Sequence, residues 1–191
     1  MTNTQAAGPG GAAVGRSAGS PGSAGPTGWA GGSAAVVAKA WEVLDLAGAA
    51  GLTIAVAESL TGGRLASALT GRPGASAVFR GSVTAYATEL KAAVLGVDPG
   101  LLARVGAVDA EVARQMAVGV RRLCGSDLAL ATTGVAGPSP QDGKEVGTVY
   151  LAVADAKGAE AALFRFAGDR SAIQDSAVEA ALNLMVSHLN S

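Results

Sequence analysis

The 191-residue sequence predicts an α/β fold, specifically a three-layer α/β/α sandwich with a mixed β-sheet. Three observations carry that prediction. From residue 35 onward, short apolar runs of strand length alternate with segments of helical period. The run at 127–133, with its unbroken apolar stretch Leu128–Ala131, is of the kind found in strands buried on both faces. The runs at 147–154 and 160–167 are joined by a short turn near Lys157-Gly158, and a connection that short makes them an antiparallel hairpin.

Each element follows from local pattern. Residues 35–50 set Val36, Val37, Ala40, Val43, Leu44 and Ala47 at helical spacing, and Gly48 and Gly51 end that helix. Residues 52–57 read as a strand and 60–70 as a helix, followed by the loop Gly71-Arg72-Pro73-Gly74. Residues 77–87, with Val78, Val83 and Ala85, make one or two strands around Gly81. A short helix over 88–96 ends at Gly96, and Pro99 opens another. Asp109 caps a helix running to about Leu123, with Val112, Met116, Val120 and Leu123 on one face. Cys124 falls in that apolar pattern and reads as a buried packing residue. After the three remaining strands, Asp169 or Ser171 opens a final helix that turns Ile173, Val178, Leu182, Met185 and Leu189 inward.

Residues 1–34 are a different polymer. They hold ten Gly and three Pro, with Arg16 as the only charge. Such a segment buries too little apolar surface to offset its ordering entropy, and a disordered leader is expected, followed by one domain over 35–191. Trp29 stands alone in it. The net charge of -1 and scattered basic residues argue against direct nucleic-acid binding. Hydrophobic content is 49%, but it is mostly Ala and Val, and no run reaches the ~18 apolar residues of a membrane span. No signal-peptide pattern opens the chain, and a single cysteine forms no intrachain disulfide, so a cytoplasmic protein is expected.

The chemistry concentrates at three turns. Ala57-Glu58-Ser59-Leu60-Thr61-Gly62-Gly63 joins a strand to a helix, which sets the Ser59 hydroxyl beside unpaired N–H groups and a positive helix end. That setting suits a nucleophile whose product carries an oxyanion. Glu58 has two readings there: it orients a hydroxyl or a lysine, or it caps the turn. The single histidine, His188, lies near the C-terminus, which argues against a Ser-His-Asp triad. Of the four lysines, Lys91 at a second strand-to-helix transition is the best available base, and its plain alternative is a solvated helix lysine. The turn Thr132-Thr133-Gly134-Val135-Ala136-Gly137-Pro138 follows a buried strand, as phosphate-cradling loops do, though a strand ending in Thr-Gly is on its own more often a plain turn. Arg170 beside the last helix N-terminus suits phosphate or carboxylate, or simply the surface. No His/Cys/Asp/Glu group has metal-ligand spacing, so no catalytic metal is expected; no other cofactor is expected either.

Taken together, these pieces resemble the CinA C-terminal domain family, whose characterised activity is nicotinamide-nucleotide amidase. The resemblance runs from about Ala35 to Ser191. It rests on AESLTGG at 57–63, Pro-Gly-x-Ser at 73–76, AYATELK at 85–91, LGV at 95–97, GAV at 106–108, TTGVAGP at 132–138, VGTVY at 146–150 and GDR at 168–170. It implies hydrolysis of the carboxamide of nicotinamide mononucleotide to nicotinic acid mononucleotide and ammonia, in pyridine nucleotide recycling. It also implies Ser59 and Lys91 as the catalytic pair with Tyr86 assisting, and substrate contacts at Thr133 and Arg170. The chemistry of such a site would use N–H groups around Thr61, Gly62 and Gly63 for the oxyanion. The turn carrying Thr133, Gly134, Ala136 and Gly137 would serve with Arg170 for the 5′-phosphate.

Some features depart from the family pattern. Thr88 stands where many members have Asn. The loop Ser139–Glu145 is short and less glycine-rich than usual, with Glu145 where proline is common. Nothing in the sequence matches the larger N-terminal domain of two-domain members, which implies a stand-alone form. By analogy with the family, a homo-oligomer is expected. The competing functions are a nucleotide-binding accessory protein of the same fold without turnover, associated with competence and DNA damage, and a hydrolase of another amide or nucleotide.

Overall fold

The computed structural model describes residues 1–2 and 32–191. Most of the expected leader, including Trp29, lies outside the described residues. The elements are α1 (Ala34–Ala49), β1 (Ile54–Glu58), α2 (Arg64–Thr70), β2 (Phe79–Thr84), α3 (Thr88–Leu95), α4 (Pro99–Val105), α5 (Ala110–Cys124), β3 (Leu128–Gly134), β4 (Thr148–Ala154), β5 (Ala159–Arg165) and α6 (Arg170–Leu189). A single turn of 3-10 helix at Ala75–Ala77 precedes β2.

Five strands form one sheet in the order β2-β1-β3-β4-β5. β1 runs parallel to both β2 and β3, whereas β3-β4 and β4-β5 are antiparallel, so the sheet is mixed. Its three inner strands alternate large and small side chains. Ile54, Val56, Leu128, Leu130, Val149, Leu151 and Val153 pack with α1, α2 and α6 on one face. Ala55, Ala57, Ala129, Ala131, Ala152 and Ala154 pack with α5 on the other, against Val112, Ala113, Met116, Ala117 and Val120. The alternation follows from the two-residue period of a strand, and the alanine face lets α5 lie close to the sheet. Three layers result.

The expected elements are present, with boundary differences that have physical causes. The helix after β1 begins at Arg64, not at residue 60. Gly62 and Gly63 take positive φ of 59° and 96°, which closes a turn and not a helix. Residues 77–87 give one strand, Phe79–Thr84, whose register with β1 shifts between Ile54 and Ala55. Asp169, not Ser171, caps α6, accepting from the N–H of Ala172 at 2.9 Å. Leu123 is not inward: it is 55% exposed. In that last turn of α5 the side facing the sheet is taken by Cys124, which is half-buried with its sulfur over Gly81 of β2. Among the described residues, no helix is long and apolar enough to cross a membrane.

The site is positioned by where the chain leaves the sheet. β1 leads into α2 on the large-residue face, whereas β2 leads into α3, α4 and α5 on the alanine face. Neighbouring parallel strands whose connections diverge leave a crevice beyond their C-terminal ends, where open α/β sheets bind ligands. α3 is held there against α5 by a close approach at Gly119, where a Cβ would overlap the Leu95 carbonyl oxygen. Gly119→Ala is expected to destabilise the fold by about 2 kcal/mol through this overpacking, measured by denaturant unfolding. An unchanged unfolding midpoint would mean that the α3–α5 contact carries no constraint.

Candidate active site

Ser59 and Lys91 meet at that crevice. Ser59 is the first residue past β1, and its N–H donates to Thr132 O at 3.0 Å, extending the β1–β3 pairing by one step. Lys91 lies in the first half of α3, 1% exposed, pointing back under the C-terminal end of β1. Its Nζ donates to Ser59 Oγ at 3.0 Å and to Ala85 O at 2.8 Å. Burial lowers the Lys91 pKa from 10.5 to about 8, and the nearby Asp142 and Glu89 carboxylates partly oppose that shift. At pH 7 about one Lys91 in ten is then neutral and able to accept a proton.

The Ser59 turn is fixed from four sides. Glu58, fully buried, accepts from the N–H groups of Gly63 at 3.0 Å and Leu65 at 3.1 Å through one oxygen, and from Ala66 at 2.8 Å through the other. It is therefore the cap of α2, which decides between the two readings of this residue. Thr61 Oγ1 and Thr132 Oγ1 share a hydrogen bond of 2.7 Å, and Gln174 Nε2 of α6 donates to Leu60 O at 2.6 Å. Within the turn, the Gly62 N–H donates to Ser59 O at 3.2 Å.

These bonds correct the expectation for the oxyanion donors. The N–H groups of Gly62 and Gly63 are already spent inside the turn, and Thr61 is fully buried away from the cavity wall. Leu60 lines the cavity beside Ser59, and among the described residues no acceptor engages its N–H. Gln174 and the Leu60 amide carried no sequence signal, because neither belongs to a recognisable motif.

The remaining candidates surround the same cavity in different ways. Thr133, Gly134, Ala136 and Gly137 line it. The Thr133 hydroxyl, however, donates to Ala107 O at 2.6 Å, so it holds the 106–108 wall. Gly134 is required by packing, since a Cβ there would crowd Val149 and the Thr148 carbonyl of β4. Arg170, at the first position of α6, donates to Gly137 O at 2.8 Å and to Tyr86 Oη at 2.6 Å, bridging the cavity mouth. Tyr86 is 59% exposed, and its hydroxyl is hydrogen-bonded to Arg170, not to Ser59 or Lys91. The lysine reaches the serine without it.

Comparison with known proteins gives the family of the chain. The CinA C-terminal domain matches residues 36–189. This chain belongs to the CinA C-terminal domain family. A CinA-like protein of Frankia casuarinae is 54% identical over 133 residues, which is 70% of this chain and 31% of that relative. A CinA-like protein of Geobacter metallireducens is 54% identical over 127 residues, 65% of this chain and 30% of the relative. The chain thus spans about a third of the length of the curated relatives it matches. Among solved structures, a CinA superfamily protein from Klebsiella pneumoniae superposes with a TM-score of 0.79 at 33% identity, covering 81% of this chain and 98% of that one. A competence/damage inducible protein from Agrobacterium tumefaciens gives 0.80 at 32% identity, covering 84% and 98%.

In this CinA-family chain the buried Glu58 carboxylate organises the Ser59 turn. Glu58→Ala strands three N–H groups and is expected to cost about 3 kcal/mol in denaturant unfolding. Glu58→Gln, with one oxygen still accepting, is expected to lose less. Equal stability of Glu58→Ala and the parent would show that α2 does not depend on this cap.

Proposed function

We propose that this CinA-family protein hydrolyses the carboxamide of nicotinamide mononucleotide, giving nicotinic acid mononucleotide and ammonia. The observation that carries the proposal is the 3.0 Å contact between a buried lysine with a pKa near 8 and a serine at a strand–helix turn. A lysine so shifted is a competent base near neutral pH, and no histidine is needed.

In the proposed reaction, neutral Lys91 takes the Ser59 proton as Oγ attacks the carboxamide carbon. The developing oxyanion is met by the Leu60 N–H. Lys91 then returns the proton to the departing ammonia, leaving an acyl ester on Ser59. Water, deprotonated by Lys91, attacks that ester; the acid leaves and Ser59 recovers its proton. The 5′-phosphate suits Arg170 and the Gly134–Gly137 turn at the cavity mouth. Arg170 has five N–H donors, of which two are engaged by Tyr86 and Gly137. Tyr86, through Arg170, would then orient the phosphate partner and not relay the proton. The protein acts on its own small-molecule nucleotide without a bound cofactor in this scheme.

Ammonia release from nicotinamide mononucleotide tests the proposal. Ser59→Ala and Lys91→Ala are each expected to lower kcat by about a thousandfold or more. The parent kcat/KM is expected to rise from pH 6 through about 8, because protonated Lys91 accepts no proton. Full activity in either variant, or a profile flat across that range, would overturn the serine–lysine mechanism.

A further inference from the structure

The loop between Gly137 and β4 enters the chemistry above only through the Asp142 charge that opposes the Lys91 shift, yet it also makes a specific contact. Asp142 Oδ2 accepts from the Ala107 N–H at 2.8 Å, across 35 residues of sequence. The other face of the same residue is held too, since Ala107 O accepts from the Thr133 hydroxyl at 2.6 Å. Ala107 is thus gripped from β3 on one side and from the loop on the other. Gly106 makes the docking possible: its Cα faces the Asp142 carboxyl so closely that a Cβ would overlap it.

The loop is shaped to present this carboxylate. Gln141 and Lys144 exchange two backbone hydrogen bonds, Gln141 N to Lys144 O at 3.1 Å and Lys144 N to Gln141 O at 2.8 Å. Asp142 takes the first corner of the turn they enclose, at a φ of 51°, a conformation that Asp tolerates better than most residues. Ser139 and Gln141 from this loop line the same cavity as Lys91, and so do Ala107 and Val108. The relative placement of two walls of the site therefore passes through one carboxylate–amide bond.

We propose that Asp142 is a positioning residue: a latch that fixes the 139–145 loop on the 106–108 wall and so sets the substrate side of the cavity. It touches neither Ser59 nor Lys91 and is not a catalytic residue. A hydrogen bond to a charged acceptor, once broken, leaves the Ala107 amide open to solvent and the loop free to leave the wall. Binding of a ligand that needs both walls then weakens, while the chemistry at Ser59 keeps its geometry.

The kinetic arm of the test rests on the amidase proposal; the structural arm does not. In the full chain, hydrogen exchange of the Ala107 amide is followed by NMR without ligand. Asp142→Ala is expected to speed that exchange by about tenfold or more, and Asp142→Asn, whose side-chain oxygen still accepts, by under about threefold. With nicotinamide mononucleotide as substrate at about pH 9, where Lys91 is mostly neutral with or without the Asp142 charge, Asp142→Ala is expected to raise KM by about tenfold with kcat within about threefold, and Asp142→Asn to restore most of the loss. Unchanged Ala107 exchange in Asp142→Ala overturns the latch, as does an Asp142→Asn variant as impaired as Asp142→Ala. Should the parent release no ammonia, the amidase proposal fails and the exchange arm still decides the latch.

Discussion

A lysine held out of water by a serine hydroxyl and a backbone carbonyl is the constraint on which this structure turns. Lys91 has two acceptors, Ser59 Oγ and Ala85 O, and is almost wholly enclosed. A pKa lowered from 10.5 to about 8 corresponds to roughly 3 kcal/mol of destabilisation at neutral pH. That cost is fully present below about pH 8. It fades as pH rises toward 10.5, because over that window the unfolded chain keeps a proton the folded chain has released. A fold that carries such a residue must hold it in place elsewhere. The Ser59 turn is tied to β3, to α6 and to its own helix through the Glu58 carboxylate. Activated groups held at a stability cost are characteristic of reactive sites.

The sheet explains why these two residues meet. β1 and β2 are adjacent and parallel but send their following helices to opposite faces, so the segments just beyond them border one crevice. Ser59 follows β1 directly, and Lys91 lies within the helix that follows β2. The alternation of large and small residues along β1, β3 and β4 fixes which helices cover which face. The same backbone pairing that builds the core therefore brings together a serine and a lysine separated by 32 residues.

Much of this was legible in the sequence, and the rest had reasons not to be. Strand, turn and helix around Ser59 are local patterns, and the near-absence of histidine directs attention to Lys91. Periodicity does not say that a lysine is buried; that depends on the β2–α3 loop folding under β1. Glu58 remained open between two roles because its three N–H partners lie five to eight residues ahead, in a turn whose glycine geometry decides the helix start. Thr61 and Thr133 look like ligand contacts in one dimension, but in the fold their hydroxyls bond Thr132 and the Ala107 carbonyl. Asp142 was invisible as anything but a loop acid, since its partner Ala107 is distant in sequence and offers only a backbone amide.

The central claim is that Lys91 is the depressed-pKa partner of Ser59, and direct titration of its side chain tests that most plainly. With lysine labelled at Cε, the Lys91 resonance followed by NMR between pH 6 and 11 is predicted to titrate near 8 in the parent chain. Lys39, Lys144 and Lys157 serve in the same spectra as internal references. A Lys91 midpoint near the ordinary lysine value of about 10.4 would contradict the account, since fewer than about one Lys91 in a thousand would then be neutral at pH 7 and able to take the Ser59 proton.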